Sequence, residues 1–268
     1  MNRAALMFVS AACVLAAPAC AAVPAQQAAT PAAAASYLDR AAIQALADAV
    51  PPAPAAGSAI ALADIAASDR LRALENTDRW ILATRHAEVR PALALAHFDC
   101  ALGFRVTAED APRLVSILER VLHDANEAAE LAKARAFRPR PVGADPERAA
   151  CQVVSAAGRA SPSYPSGSAT VGAAYGEVIA ALVPDHAAEA RRIGHEMAVS
   201  RMVCGMHYPS DVAQGEALGK AAFRQIAATP GFQTDAVVAG REIARARAVG
   251  ATSPACAAER AALATPIP

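Results

Sequence analysis

Aromatic side chains are scarce: the 268 residues hold one tryptophan, four tyrosines and six phenylalanines. Sheet-rich chains draw on aromatic and β-branched residues, whereas Ala and Leu dominate here, which favours helices. Neither sign of charge is in excess, since 25 Lys+Arg meet 25 Asp+Glu. That balance leaves no electrostatic footprint for nucleic acid or an anionic membrane surface. Beyond the N-terminal region no stretch reaches the roughly 18 uninterrupted apolar residues of a spanning helix. There is no CxxC pair, which argues against a zinc site. No run alternates apolar and polar residues in the way of a half-buried strand, and no internal repeat is visible.

What is present begins with an address. Residues 1–22 read as a secretory signal: Arg3, an apolar run from Ala4 to Ala17, then Ala19-Cys20-Ala21 as a small-residue cleavage site. Cys20 admits a lipoprotein alternative, although Ala17-Pro18-Ala19 lacks the usual leucine. Removal of the signal leaves Cys100, Cys151, Cys204 and Cys256. An even count in an oxidising compartment predicts two disulfides with three pairings open. Cys100–Cys151 with Cys204–Cys256 is adopted as a working guess.

Residues 23–36, rich in Ala, Pro and Gln, read as a disordered lead-in, and 37–268 as one domain. Helical spacing is expected over Tyr37–Val50, Ala61–Leu74 and Asn76–Ala96, with the Pro51-Pro52-Ala53-Pro54 connector between the first two. Thr107 is expected to cap a long amphipathic helix ending near Ala136, and 142–165 to be loop. Further helices are expected from Ser168 to Leu182, His186 to Met206, Pro209 to about Ala228, and Gln233 to Val249. The fold class predicted is an all-α single-domain bundle of roughly eight helices.

Three stretches carry chemistry. In Ser200-Arg201-Met202-Val203-Cys204-Gly205-Met206-His207-Tyr208-Pro209-Ser210-Asp211, Arg201 offers a planar fork suited to phosphate. His207 is a nucleophile or proton carrier, and Asp211 an acid placed to fix its tautomer. In Lys133-Ala134-Arg135-Ala136-Phe137-Arg138-Pro139-Arg140-Pro141, a lysine at a helix end and an arginine in the turn after it can reach one anion. In Tyr164-Pro165-Ser166-Gly167-Ser168, a glycine-containing turn opens a helix and presents backbone N–H groups and a hydroxyl. Taken singly, each is more readily read as a helix cap, a surface or satisfied side chain, or basic residues at a helix C-terminus.

Together they resemble the class A bacterial nonspecific acid phosphatases of the phosphatidic acid phosphatase type 2/vanadium haloperoxidase superfamily. The family pattern is K-x6-RP, PSGH, SR-x5-H-x3-D. Lys133 with Arg140-Pro141 matches the first part, and Ser200-Arg201, His207 and Asp211 match the third. Pro165-Ser166-Gly167 matches the second up to Ser168, which stands where the family has histidine. Segments around Pro51-Pro52, Arg79-Trp80 and Phe98-Asp99-Cys100 also resemble the secreted enzymes. The resemblance implies an all-helical fold, a periplasmic location, and hydrolysis of small phosphomonoesters with no cofactor or metal. His207 would form a phosphohistidine and Asp211 would hold its other nitrogen. Lys133, Arg140, Arg201, the Ser166 hydroxyl and the Gly167 N–H would clamp the phosphoryl group.

Ser168 removes the family's acid–base histidine, a function typically worth about 10²–10⁴-fold. Neither His195 nor His123 is placed to replace it, and Tyr164 and Tyr208 are poor acids. The readings carried forward are a working but slowed acid phosphatase, a catalytically impaired phosphate-binding relative, and a vanadate-dependent haloperoxidase. A membrane lipid phosphatase is disfavoured. Inorganic phosphate is an expected ligand, nucleic acid is not, and the oligomeric state stays open, a homo-oligomer included.

Overall fold

The computed structural model describes residues 36–268, Ala136 excepted. The expected signal segment 1–22, Cys20 and all of the lead-in but Ser36 lie outside the described residues. Helix and turn make up the structure, and no strand occurs among the described residues. The helices of eight or more residues are α1 (Arg40–Asp48), α2 (Ala59–Arg70), α3 (Asp78–His86), α4 (Pro112–Lys133), α5 (Gly167–Leu182), α6 (Ala187–Val203), α7 (Pro209–Ala227), α8 (Pro230–Val249) and α9 (Cys256–Leu263). The all-α expectation holds, with one such helix, α9, beyond those anticipated.

Helix α5 is the axis. Its sequence GSATVGAAYGEVIAAL is apolar nearly all round, and a helix of that kind is stable only when enclosed. It packs most extensively on α6 and α7, then on α4. Small residues set how close these helices come. A Cβ on Gly215 would stand 2.5 Å from the Ser166 carbonyl oxygen, and one on Gly219 would overlap the Thr170 carbonyl. The second and third turns of α7 therefore lie directly against the backbone of α5.

Several boundaries differ from expectation for identifiable reasons. Thr107 does not cap α4; its hydroxyl accepts the Asp110 N–H at 3.2 Å in a turn of its own. The helix starts at Pro112, and its first turn is capped across the bundle instead. Glu242 of α8 accepts the N–H groups of Arg113 and Leu114 at 2.9 and 3.3 Å. The helix expected to reach Ala96 stops at His86, and a separate turn opens at Pro91, where a prolyl nitrogen cannot continue the ladder. The expected loop 142–165 contains a short helix, Ala156–Ala160.

Two disulfides form, and the guessed pairing is wrong. Cys100 bonds Cys256, and Cys151 bonds Cys204. The first anchors α9, whose short Ala-rich sequence gave no periodic signal. The second ties the loop before α5 to the residue that follows α6.

Gly219→Ala is expected to destabilise the fold by about 1–3 kcal/mol, the usual cost of overpacking a close contact. A lower urea midpoint with an unchanged m-value would register it, and an unaltered midpoint would refute the close approach of α5 and α7.

Candidate active site

The three sequence stretches converge where α4 ends and α5 and α7 begin. Lys133 is the last residue of α4, and its Nζ bonds Glu130 Oε1 at 2.5 Å. Arg138 and Arg140 follow in extended backbone that cannot turn helical before Pro139 and Pro141. Arg201 sits in the last turn of α6, and His207 lies two residues before α7. All five side chains are buried, and His207 is only 2% exposed.

The geometry fixes the tautomer of His207. Its Nδ1 donates to the Ser163 carbonyl at 2.8 Å. Its Nε2 is then the lone-pair nitrogen, and it accepts from Arg140 Nη1 at 2.8 Å. The direct bond expected from Asp211 to the imidazole is not made, because the nearest carboxylate oxygen is 3.9 Å from Nδ1. Asp211 is held elsewhere. As the third residue of α7 it reaches back to the Tyr208 N–H at 2.7 Å and accepts the Ser163 hydroxyl at 2.6 Å. It therefore orients the imidazole through Ser163, not by touching it.

Arg138, which the sequence pattern gave no role, is the third partner of that carboxylate. Its Nη1 meets Asp211 Oδ1 at 2.5 Å and its Nη2 meets Asp64 Oδ2 at 2.7 Å, while the guanidinium lies over the Tyr208 ring. Nothing local in the sequence marks Asp64, which stands far upstream in α2. Ser163 was missed as well, since a serine before Tyr164-Pro165 carries no motif of its own.

The charges are unevenly matched. Arg138 is neutralised by Asp64 and Asp211, and Lys133 by Glu130. Among the described residues no carboxylate pairs with Arg140 or Arg201. Arg140 bonds Ser161 Oγ at 2.9 Å and the Met206 carbonyl at 3.2 Å. Arg201 is buried, and its Nε and Nη1 have no partner among the described residues. Burial, then the neighbouring Arg140, pushes its pKa down to about 10. A buried donor without a partner costs about 1–3 kcal/mol, and more when charged. Two unpaired guanidinium charges facing one imidazole suit a dianion with several acceptor oxygens.

The remaining motif residues form the floor. Ser166 caps α5, its Oγ accepting the Ala169 N–H at 3.2 Å. A Cβ on Gly167 would come within 3.3 Å of Lys133 Nζ and 3.4 Å of Asn126 Oδ1, so glycine keeps the helix N-terminus open to the cations. Ser168 is the second residue of α5 and is half-buried. None of the other histidines belongs to this cluster: His195 pairs with Glu216, His123 lies beside Asp124, and His86 is buried against Ser200. Among the described residues no group of three or more His, Cys, Asp or Glu is placed to hold a metal ion. Beside the cluster is a mainly apolar hollow of about 360 Å³, bounded by Pro54, Ile65, Phe137, Pro139, Arg138 and Tyr208.

Burial first, then Arg140, Lys133 and Arg201, hold the imidazole of His207 far below its ordinary pKa. It stays unprotonated, and so nucleophilic, in acid. Burial moves Asp211 the opposite way, against the pull of Arg138. With Arg138, the Ser163 hydroxyl and the Tyr208 N–H all directed at it, the charged form is the one the geometry serves.

Residues 117–233, which span every motif residue, match the PAP2 superfamily. An acid phosphatase of Zymomonas mobilis subsp. mobilis is 31% identical over 197 residues, 73% of this chain and 74% of that protein. A non-specific acid phosphatase of Providencia stuartii is 31% identical over 202 residues, 73% of this chain and 79% of the relative. One from Salmonella typhimurium is 28% identical over 162 residues, 60% and 65% respectively. Among solved structures, a transmembrane PAP2 type phosphatidylglycerolphosphate phosphatase from Bacillus subtilis gives a TM-score of 0.48 at 20% identity, covering 72% of this chain and 92% of that one. No helix of the described residues is long and apolar enough to cross a membrane.

Three buried histidines make a further prediction. Burial pushes His86 down to about 3 and also lowers His97 and His207. Between an unfolded value near 6.5 and about pH 5 the unfolded chain binds protons that the folded one refuses. Stability must then fall as pH falls, by up to about 1.4 kcal/mol per pH unit for each such histidine. His195, raised by Glu216, works in the opposite direction and offsets part of this. Urea midpoints taken from pH 7 to pH 5 should decline, and a level profile would mean that these imidazoles are charged in the fold.

Proposed function

The chain belongs to the PAP2 superfamily, among its bacterial acid phosphatases, and from that premise and the site's geometry we propose that it hydrolyses small phosphate monoesters through a phosphohistidine. That it is a phosphatase follows from its relatives; the mechanism is read from the site. The observation that carries it is the Nε2 lone pair of His207 facing Arg140, beside the two unpartnered donors of Arg201.

The steps follow from the charges. A phosphoryl group entering between Lys133, Arg140 and Arg201 draws Arg140 off the imidazole and leaves Nε2 aimed at phosphorus. The cations, with the Ser166 hydroxyl and the Gly167 N–H at the positive end of α5, neutralise its equatorial oxygens. Nε2 attacks, the alcohol departs, and water later releases phosphate. Nδ1 keeps its proton throughout, because the Ser163 carbonyl and the Asp211 charge favour the imidazolium-like nitrogen that forms. Phosphoryl transfer asks for positioning and charge stabilisation more than for covalent chemistry, and the buried cluster supplies both. The depressed pKa of His207 explains how an imidazole nucleophile serves an enzyme working in acid. The apolar hollow beside Arg138 and Tyr208 is a fitting place for the organic group. The periplasm fits the expected signal segment and the two disulfides, which persist in oxidising compartments.

Ser168 favours a second reading, a relative that binds phosphate and turns over little. Steady-state hydrolysis of p-nitrophenyl phosphate and glycerol phosphate near pH 5.5 separates the two. Turnover with a phosphohistidine trapped in an alkaline quench supports the enzyme; saturable phosphate binding without turnover on either ester supports the binder. Arg201→Ala should lower kcat/KM by about 10²–10³-fold, the usual cost of one transition-state donor, and His207→Ala should abolish the trapped intermediate. Full turnover in either variant would refute its assigned role.

A further inference from the structure

With serine at 168, the departing alkoxide needs another acid. The histidines lie elsewhere, so the carboxylates near the cradle are the remaining source. Asp211 and Asp64 are buried and committed to Arg138, and Asp211 lies on the Nδ1 side of His207. Glu130 differs. Its side chain is 52% exposed, yet its Oε1 bonds Lys133 Nζ at 2.5 Å inside the cradle. The same oxygen is 3.6 Å from where a Cβ on Gly167 would stand, which places it over the first residue of α5 and next to Ser168. Its charge is felt at Arg140, the guanidinium bonded to the nucleophile. Asn126, one turn earlier on α4, brings its Oδ1 to the same spot.

We propose that Glu130 is the catalytic acid and base of this enzyme, acting where the family pattern uses the histidine at position 168. The assignment rests on the phosphatase reading above. A carboxyl is a far stronger acid than a serine hydroxyl, and this one reaches both solvent and the phosphoryl seat. In the first step the His207 Nε2–P bond forms and the P–O bond to the alcohol breaks. Freed from Lys133 when the ester binds, the half-exposed Glu130 carboxylate takes a proton from the mildly acidic solvent, passes it to the leaving oxygen, and is a carboxylate again. In the second step water attacks phosphorus, Glu130 takes its proton, the N–P bond breaks, and inorganic phosphate and neutral imidazole return. Lys133 is released from Glu130 as the phosphoryl oxygens claim it, so one ion pair serves as the resting state of both side chains.

The test is Glu130→Gln, nearly isosteric and half-exposed, so that the fold is kept; a thermal melt confirms this. The readout is kcat/KM, which stops at formation of the phosphoenzyme, across 2,4-dinitrophenyl, p-nitrophenyl, phenyl and glycerol phosphates. An acid matters in proportion to how poorly the alcohol leaves. The expected result is a loss of about 10²–10⁴-fold on glycerol phosphate, a change within about tenfold on 2,4-dinitrophenyl phosphate, and a steeper dependence on leaving-group basicity. Adding Ser168→His to the Glu130→Gln protein should restore glycerol phosphate hydrolysis. An equal loss on all four esters would make Glu130 only a holder of Lys133, and an undiminished rate on glycerol phosphate would remove it from the reaction; either overturns the assignment. A wild-type protein inert on 2,4-dinitrophenyl phosphate would instead defeat the phosphatase reading itself, and this assignment with it.

Discussion

Asp211 is the joint on which the site turns. Its carboxylate caps the start of α7 through the Tyr208 N–H, takes the Ser163 hydroxyl, and holds Arg138. Its own carbonyl accepts the Ser166 N–H at 3.0 Å. One residue therefore clasps the N-terminus of α5 to that of α7 and fixes the loop that carries the carbonyl partner of His207. The positive ends of two helices are thereby brought to the cluster of cations. The counter-charges are rationed: Asp64 and Asp211 satisfy Arg138, Glu130 satisfies Lys133, and Arg140 and Arg201 pair with no carboxylate among the described residues.

The same arrangement separates two demands that conflict in water. A histidine nucleophile must stay neutral, while a phosphate ester is most easily cleaved in acid, where imidazole is normally charged. Burying His207 among three cations lowers its proton affinity, and in the proposed mechanism those same cations bind the ester. The Ser200 hydroxyl, adjacent to Arg201, is held by Arg79 at 3.0 Å and by the buried His86 at 2.9 Å, so the end of α6 is braced at the residue before Arg201.

Much of this was legible in the chain. The spacing Lys133…Arg140, Ser166-Gly167 and Arg201…His207…Asp211 picked out residues that the fold brings together, and helical periodicity found α4 to α8 to within a few residues. What stayed hidden depends on contacts between distant segments. Arg138 is one of four basic residues in a row of nine, and only the position of Asp64 in α2 distinguishes it. The cap of α4 comes from Glu242 on α8, so Pro112 at its first position is all that marks its start locally. The disulfide pairing depends on which loop ends meet, and spacing alone leaves all three options equal. Asp211 lay in the motif, but its reach back to the Tyr208 N–H, decided by its place in the first turn of α7, keeps it off the imidazole.

The close contact of α5 with α7 at Gly215 and Gly219 bears on how such a protein can change over time. A core built of interlocking side chains can absorb a substitution by a compensating one next door. A contact made backbone to backbone offers no side chain to trade, so these positions have no partner whose mutation could rescue them. Variation is then channelled away from this seam, to positions whose side chains meet other side chains or solvent.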